Sequence, residues 1–507
     1  MTRPAWIFLL LTLLPFGAGA QPATTANTFD AATAGSVWGA ALAYIQPRAL
    51  QALTIPQMTI WGLNGLAALD PDMTTQLQGH EILLYGPNRM IIAVPAPPAT
   101  DAQGWGQAAA KVAAAAYATS PALRQAGTQG LISSFFDELF NHFDPYSRYE
   151  PPLQAAREQL MVTGLAGTGV TFAAQGRAVT IGAVAADSPA ENAGLTVGMM
   201  VLRVDGHPVH SSEVARLNGA MPGILGSGVT LRVADPAGRD AAQDITLTRA
   251  YIPPQTVFAE PSPAPGIAAL KITSFNHGTG DQFSTLVASV VTANPALTGL
   301  VLDLRGNRGG VLRQAVLVAD SLLSSGPIAE AAGRDPDADQ AFHAEGSDLT
   351  GGLKLAVLVD GQTASASEIL SAALADDHRA VVIGSETLGK GLVQTVTSLP
   401  DGGELFVTWS RVLAPDGWPL QTLGVMPQVC TSLGEPALNE QLAALSRGHN
   451  LMAEALAASR AIRAPASVTR IINVRDHCPA AIGSDLDMSA AAFVLTHPAA
   501  YQAALLP

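Results

Sequence analysis

The chain has 507 residues, 48% of them hydrophobic and 13% charged, which is material for several packed cores and too apolar for intrinsic disorder. Its net charge of −14 at pH 7 argues against a nucleic-acid partner, because phosphate binding needs a basic surface. Ten histidines without a His-Glu-x-x-His or comparable cluster, and only two cysteines, give no support to a metalloenzyme, and no cofactor is implied.

The first twenty residues read as an export signal. Arg3 supplies the positive start, Ile7 to Phe16 the apolar stretch, and Ala18-Gly19-Ala20 the small-residue cleavage site. The apolar run falls short of the roughly 20 residues that a spanning helix needs, so cleavage near Gln21 is expected, with a retained anchor as the alternative. The mature protein is then periplasmic or secreted, and it touches membranes only peripherally or through an uncleaved signal. In an exported chain the even pair Cys430 and Cys478 predicts a disulfide.

Residues 21–155 read as a mixed, mainly helical region. Runs at Glu81 to Tyr85 and Met90 to Val94 around Gly86-Pro87-Asn88 predict a hairpin, and Ala108 to Tyr117 and Ala122 to Phe140 predict helices. Residues 160–250 change to short β-type runs at Gly169 to Phe172, Val179 to Val184, Met200 to Val204, Val229 to Val233 and Asp244 to Thr248. Among them Ser188 to Gly194 reads as a short helix with a serine cap, proline at its first position and glycine at its end. Residues 251–430, after the Pro253-Pro254 and Pro261 to Pro265 clusters, alternate strand and helix: Leu300 to Leu304, Leu312 to Leu323, Lys354 to Val359, Ala366 to Ala375, Val381 to Gly384. The fold class expected is an α/β domain of ββα-type units, preceded or interrupted by a small β-rich domain, with helical N-terminal and C-terminal regions. Residues 431–507 form the helical C-terminal extension.

Candidate chemistry lies in three places of the α/β region. Ser365, in Thr363-Ala364-Ser365-Ala366-Ser367-Glu368, stands where a buried strand gives way to a helix, beside unpaired N–H groups that could hold an oxyanion. By itself the segment reads more readily as an N-cap than as a nucleophile. Lys390, between Gly389 and Gly391, changes the weighing. The chain has 27 basic residues, of which only Lys111, Lys271, Lys354 and Lys390 are lysines, and a shielded lysine can act as a base where an arginine cannot. A serine hydroxyl needs such a base, and Gln394, four residues on in an extended stretch, points its amide the same way. Gly384 to Lys390 also has the spacing of a phosphate-binding loop. Against that reading, Gly391 stands where Ser or Thr would bind magnesium, and Leu392 to Leu399 alternates like a strand. Asp303 to Gly310 ends a strand in a glycine-rich turn, read either as a plain connection or as a second wall of an oxyanion hole.

In order and spacing, Asp303 to Gly310, Thr363 to Glu368 and Gly384 to Gln394 together resemble the carboxyl-terminal processing (tail-specific) proteases. The resemblance spans roughly residues 130 to 430, with Asp144 to Tyr149 and Gly424 to Pro427 as flanking fragments. It implies a PDZ domain over 160–250 and a Ser/Lys endopeptidase. In that scheme Ser365 is the nucleophile, Lys390 the base, Gln394 its positioning residue, and Ala366 with Gly309 or Gly310 the oxyanion hole. Gly167, Thr168, Gly169 and Val170 would bind the apolar C-terminal tail of a protein or peptide substrate by strand addition. Met199 and Gln428 stand where the family usually has aspartate. The alternative from another class is an inactive PDZ adaptor; the joint presence of Ser365, Lys390 and Gln394 favours the enzyme. A trypsin-like protease would place its chemistry before the PDZ domain.

Overall fold

A computed structural model describes residues 28–163, 165–185, 188–235 and 241–505. The expected signal at 1–20 lies outside the described residues. The chain divides into two compact units, one reaching to Leu42 and resuming over Ile55–Leu139, the other Ala43–Thr54 with the chain from Phe140 onward.

In the first unit the helices Ile55–Leu69 and Ala102–Thr119 accompany an antiparallel meander, Thr74–Gln78, Glu81–Tyr85 and Met90–Pro95. The expected hairpin is the second and third strand of that meander; the first strand was not anticipated. The first expected helix is present within Ala102–Thr119; the second, within Pro121–Phe140, is broken into two at Gly127, whose φ of 67° and ψ of −175° are not helical. Small residues set the packing distance here: a Cβ on Gly62 would lie 2.4 Å from the Phe135 ring, which stacks on Trp38 at 4.7 Å.

The second unit is built on a six-stranded sheet in the order Val257–Ala264, Ile267–Ile272, Gly299–Asp303, Lys354–Val359, Ala380–Gly384, Val429–Cys430. All pairs after the first are parallel. Its strands are near-continuous apolar runs because both faces are covered. Leu300, Leu302, Leu355, Val357 and Val382 face the helices Leu312–Asp320 and Ala366–Asp376, whereas Val301, Ala356, Leu358 and Val381 face Leu438, Leu445, Ala491 and Val494 of the C-terminal extension. The extension, from whose sequence no chemistry could be read, thus covers the back of this sheet. A second sheet, Gln340–Ala344, Gly326–Gly333, Glu404–Leu413 and Leu392–Ser398, receives Arg148–Glu150 against Glu404–Leu413. Of these strands only Leu392–Ser398 was expected.

Residues 165–252 form an antiparallel sheet in the order Gln243–Thr248, Gly228–Ala234, Met200–Val204, Ala178–Val184, Val170–Gln175, which matches the five runs read from the sequence. Alternating burial in Gly228–Ala234 marks a sheet with one wet face. Phe172, Ile181, Leu217 and Leu231 share its core. The capped helix at Ser188 is present as Pro189–Asn192; the helix Val214–Ala220 was not foreseen.

Candidate active site

Ser365 is the residue before the helix Ala366–Asp376 and has φ 57° and ψ −118°, a backbone state that only glycine adopts freely. Its surroundings enforce it. The Ser365 N–H donates to Glu368 Oε2 at 2.7 Å, and Glu368 Oε2 also accepts from Lys390 N–H at 2.8 Å. Glu368 Oε1 accepts from Gly389 N–H at 2.7 Å and from the Thr387 hydroxyl at 2.5 Å. One buried carboxylate therefore ties the turn that presents Ser365 to the loop that presents Lys390. Burial pushes Glu368 above the usual carboxylate range, against these four donors. Sequence reasoning quoted Glu368 without giving it work, although Ser-x-x-Glu is the spacing of a capping box, one half of which is realised here.

The glycine-rich turn lies against this elbow. Gly309 has φ 89°, and a Cβ there would stand 2.8 Å from Ser365 Cβ and 2.7 Å from the Ala364 carbonyl. Asn307 fixes the turn by donating Nδ2–H to the Ile272 carbonyl at 2.8 Å and accepting the Gly309 N–H at 2.9 Å. That last bond corrects one expectation: the Gly309 N–H is engaged and cannot point at an oxyanion. Among the described residues, the Gly310 and Ala366 N–H groups have no hydrogen-bond partner. Behind the turn, Asp303 is fully buried and paired with Arg305 at 2.7 Å and Lys271 at 3.1 Å. Burial raises its carboxyl, but Arg305 outweighs this and holds it below the usual range.

Ser365, Lys390, Gln394, Gly309 and Gly310 all line one cleft of about 510 Å³, with Val311, Leu312 and Ile369 as apolar walls. Burial lowers the pKa of the Lys390 amine and Arg148 lowers it further, while Glu158, Asp144 and Glu368 act the other way. No carboxylate among the described residues is within ion-pair distance of the amine, and its Nζ lies 4.8 Å from the centre of the Tyr146 ring. Gln394 enters the same cleft but does not hydrogen-bond Lys390. Its Nε2 donates to the Leu392 carbonyl at 3.2 Å and to Thr408 Oγ1 at 3.1 Å. After Lys390 comes the strand Leu392–Ser398, not a helix, which removes the phosphate-loop reading.

The loop from Ser385 to Lys390 is held from behind by the C-terminal extension. Cys430 and Cys478 are joined in a disulfide. Beside it Glu386 N–H donates to the Cys478 carbonyl at 3.3 Å, Ser385 Oγ exchanges bonds of 3.0 Å with the Ala481 backbone, and Arg475 Nη2 donates to the Thr387 carbonyl at 2.8 Å. The carboxyl of Glu386 has no hydrogen-bond partner among the described residues; burial pushes it up to about 8, against Arg475 at 3.9 Å.

In the small β module, Gly167, Thr168, Gly169 and Val170 lie together beside a cleft of about 240 Å³ whose far wall is Asn218, Met221 and Ile252. Gly169 has φ 80° and packs on Ser188, which a Cβ would meet at 2.1 Å. Val170–Gln175 is an edge strand, yet its outward backbone groups at Phe172 are not open: the N–H donates to Asn218 Oδ1 at 2.8 Å and the carbonyl accepts from Asn218 Nδ2 at 3.0 Å.

A carboxy-terminal-processing protease of Bartonella bacilliformis is 30% identical to the chain over 304 residues, 59% of this chain and 69% of that protein. The chain belongs to that family. The model of peptidase family S41 matches residues 266–431, the segment that holds Ser365 and Lys390. A carboxyl-terminal-processing protease of Synechocystis is 31% identical over 290 residues, 56% of this chain and 67% of that protein. Among solved structures, the photosystem II D1 C-terminal processing protease is 27% identical and covers 61% of this chain and 86% of its own, at a TM-score of 0.35. This S41 peptidase is accordingly a serine-type peptidase acting on protein substrates, as the sequence implied. Among the described residues no group of three or more His, Cys, Asp or Glu side chains could hold a metal ion, and no helix is long and apolar enough to cross a membrane.

Proposed function

We propose that this S41 peptidase is an exported endopeptidase with a Ser/Lys mechanism and that its small β module is a PDZ domain for substrate tails. The observation that carries the reading is the shared cleft, lined both by Ser365 and by a half-buried lysine with lowered pKa and, among the described residues, no carboxylate partner. The neutral Lys390 amine takes the Ser365 hydroxyl proton as the oxygen's electron pair forms the bond to the scissile carbonyl carbon. The Ala366 and Gly310 N–H groups receive the oxyanion. The ammonium then passes its proton to the leaving amine as the C–N bond breaks, and water repeats the cycle on the acyl-enzyme. Gln394, anchored through its amide nitrogen, has its oxygen left to accept from the amine.

Lys390→Arg tests the base. Arginine keeps the charge but cannot give up a proton, so activity should fall on the order of 10²–10⁴-fold in a folded protein. Near-normal cleavage would remove Lys390 from the mechanism. The lowered lysine pKa also sets a sign: activity should rise with pH as the amine deprotonates.

For the module, the apolar wall of Met221 and Ile252 suits a small apolar terminal residue, and the Gly167 to Val170 loop a free carboxylate. Amidating a peptide's C-terminus should weaken its binding several-fold; equal affinity for both forms would rule this mode out.

A further inference from the structure

A lysine that must gain and lose a proton in each turnover needs a seat that holds the amine without fixing its charge. A carboxylate in contact would lock it as ammonium, and an apolar wall alone would leave the ammonium unsupported. The group closest to supplying such a seat for Lys390 is an aromatic face, the Tyr146 ring with its centre 4.8 Å from Lys390 Nζ.

That ring is itself firmly placed. Asp144 Oδ1 accepts the N–H groups of Tyr146 at 2.9 Å and Ser147 at 3.0 Å, and Asp144 Oδ2 accepts the Ser147 hydroxyl at 2.6 Å. The same Asp144 Oδ1 accepts Thr408 Oγ1–H at 2.7 Å, and Ser147 Oγ accepts the Thr408 N–H at 3.0 Å. Thr408 Oγ1 in turn accepts from Gln394 Nε2 at 3.1 Å. One carboxylate thus sets both the ring on the lysine and, through Thr408, the side chain of Gln394.

We infer that Tyr146 is a positioning residue of the catalytic machinery, whose ring face supports Lys390 while it carries the Ser365 proton, and that Asp144 aligns this ring with Gln394. The inference rests on the Ser/Lys reading. The charged groups facing Lys390 are Arg148 on the Arg148–Glu150 strand, Glu158 on the helix Pro152–Thr163, Asp144 and Glu368; none forms an ion pair with it. Arg308 lines the same cleft. Loss of the ring removes support for the ammonium while these charges stay, so the lysine becomes a weaker base.

The test is the pH dependence of kcat/KM on a peptide without titratable side chains, for wild type, Tyr146→Phe, Tyr146→Leu and Lys390→Arg. In Tyr146→Leu the ascending limb should move to lower pH by about half to one unit, and the plateau should drop on the order of tenfold. Tyr146→Phe keeps the ring and should stay within about twofold of wild type in both. If the leucine variant fails to fold, Tyr146→Met carries the same expectations. A limb that stays in place despite lower activity, or a phenylalanine variant as impaired as leucine, overturns the role of the ring. If Lys390→Arg remains active or wild type has no limb, the Ser/Lys reading itself fails and the role of Tyr146 falls with it.

Discussion

The two clefts of the second unit differ in whether their hydrogen-bonding groups are already engaged. Around Ser365 the donors that would meet a reacting carbonyl, Gly310 and Ala366 N–H, have no partner among the described residues, while the groups behind them are tied down by Asn307, Glu368 and Asp303. Along the edge strand of the small module the reverse holds: Asn218 already bonds both outward groups of Phe172, as an added strand would. A site that does chemistry gains from groups fixed before the substrate arrives, since reorganising them during the reaction costs rate. A site that captures tails reversibly loses little by giving up one internal contact for an equivalent external one. Under the proposed roles, the contrast separates a preformed catalytic site from a tail site that must be opened.

The strongest test of that contrast is Glu368→Gln. Each carboxylate oxygen accepts two donors, so an amide would turn its NH₂ toward two N–H or O–H groups and leave them unpaired. Activity should fall on the order of 10²-fold or more as Ser365 and Lys390 lose their common tie, with peptide binding by the small module unchanged. A Gln variant at wild-type rate would mean that the site is not held by this group.

Burying Glu386 in the Ser385 to Lys390 loop has a stability cost that Glu386→Gln should expose. In the unfolded chain this carboxyl titrates near its ordinary value of 4.5, and in the folded chain near 8. Between those values the folded state keeps a proton that the unfolded state releases, so stability falls as pH rises from about 4.5 to about 8 and levels off above. Glutamine cannot titrate. Urea unfolding should therefore find the variant gaining on wild type from pH 5 to pH 8, by a few kcal/mol at most; parallel pH profiles would refute the raised pKa. The smallest effect belongs to the other cleft. Asn218→Ala should free Phe172 and tighten tail peptides by roughly three- to tenfold, the worth of a competing hydrogen bond. Weaker binding would make Asn218 a brace of the groove and erase the difference between the two sites.

Much of this was legible in the chain. Continuous apolar runs such as Leu355 to Val359 betray strands buried on both faces, and the scarcity of lysine singled out Lys390, although the same scarcity also covers Lys271, which is paired with Asp303. Other features were hidden for physical reasons. Gly309 and Gly310 read alike as permissive glycines, and only the fold commits one N–H to Asn307 and leaves the other without a partner among the described residues. Asn218 and Thr408 carry no local signature, and Tyr146 stood out only within the Asp144 to Tyr149 fragment with no role attached, because their partners lie 46, 14 and 244 positions away along the chain at Phe172, Gln394 and Lys390. The Gly326–Gly333 strand alternates too weakly, through small residues, for its period to be read.

Cys478 is part of the segment that braces the Ser385 to Lys390 loop from behind, and its bond to Cys430 anchors that segment to the edge of the central sheet. Thiols stay reduced in a cytosol and pair in an oxidising compartment. Under the proposed export, that anchor becomes covalent only in the oxidising compartment, so the support behind the lysine loop is completed where the chain would work.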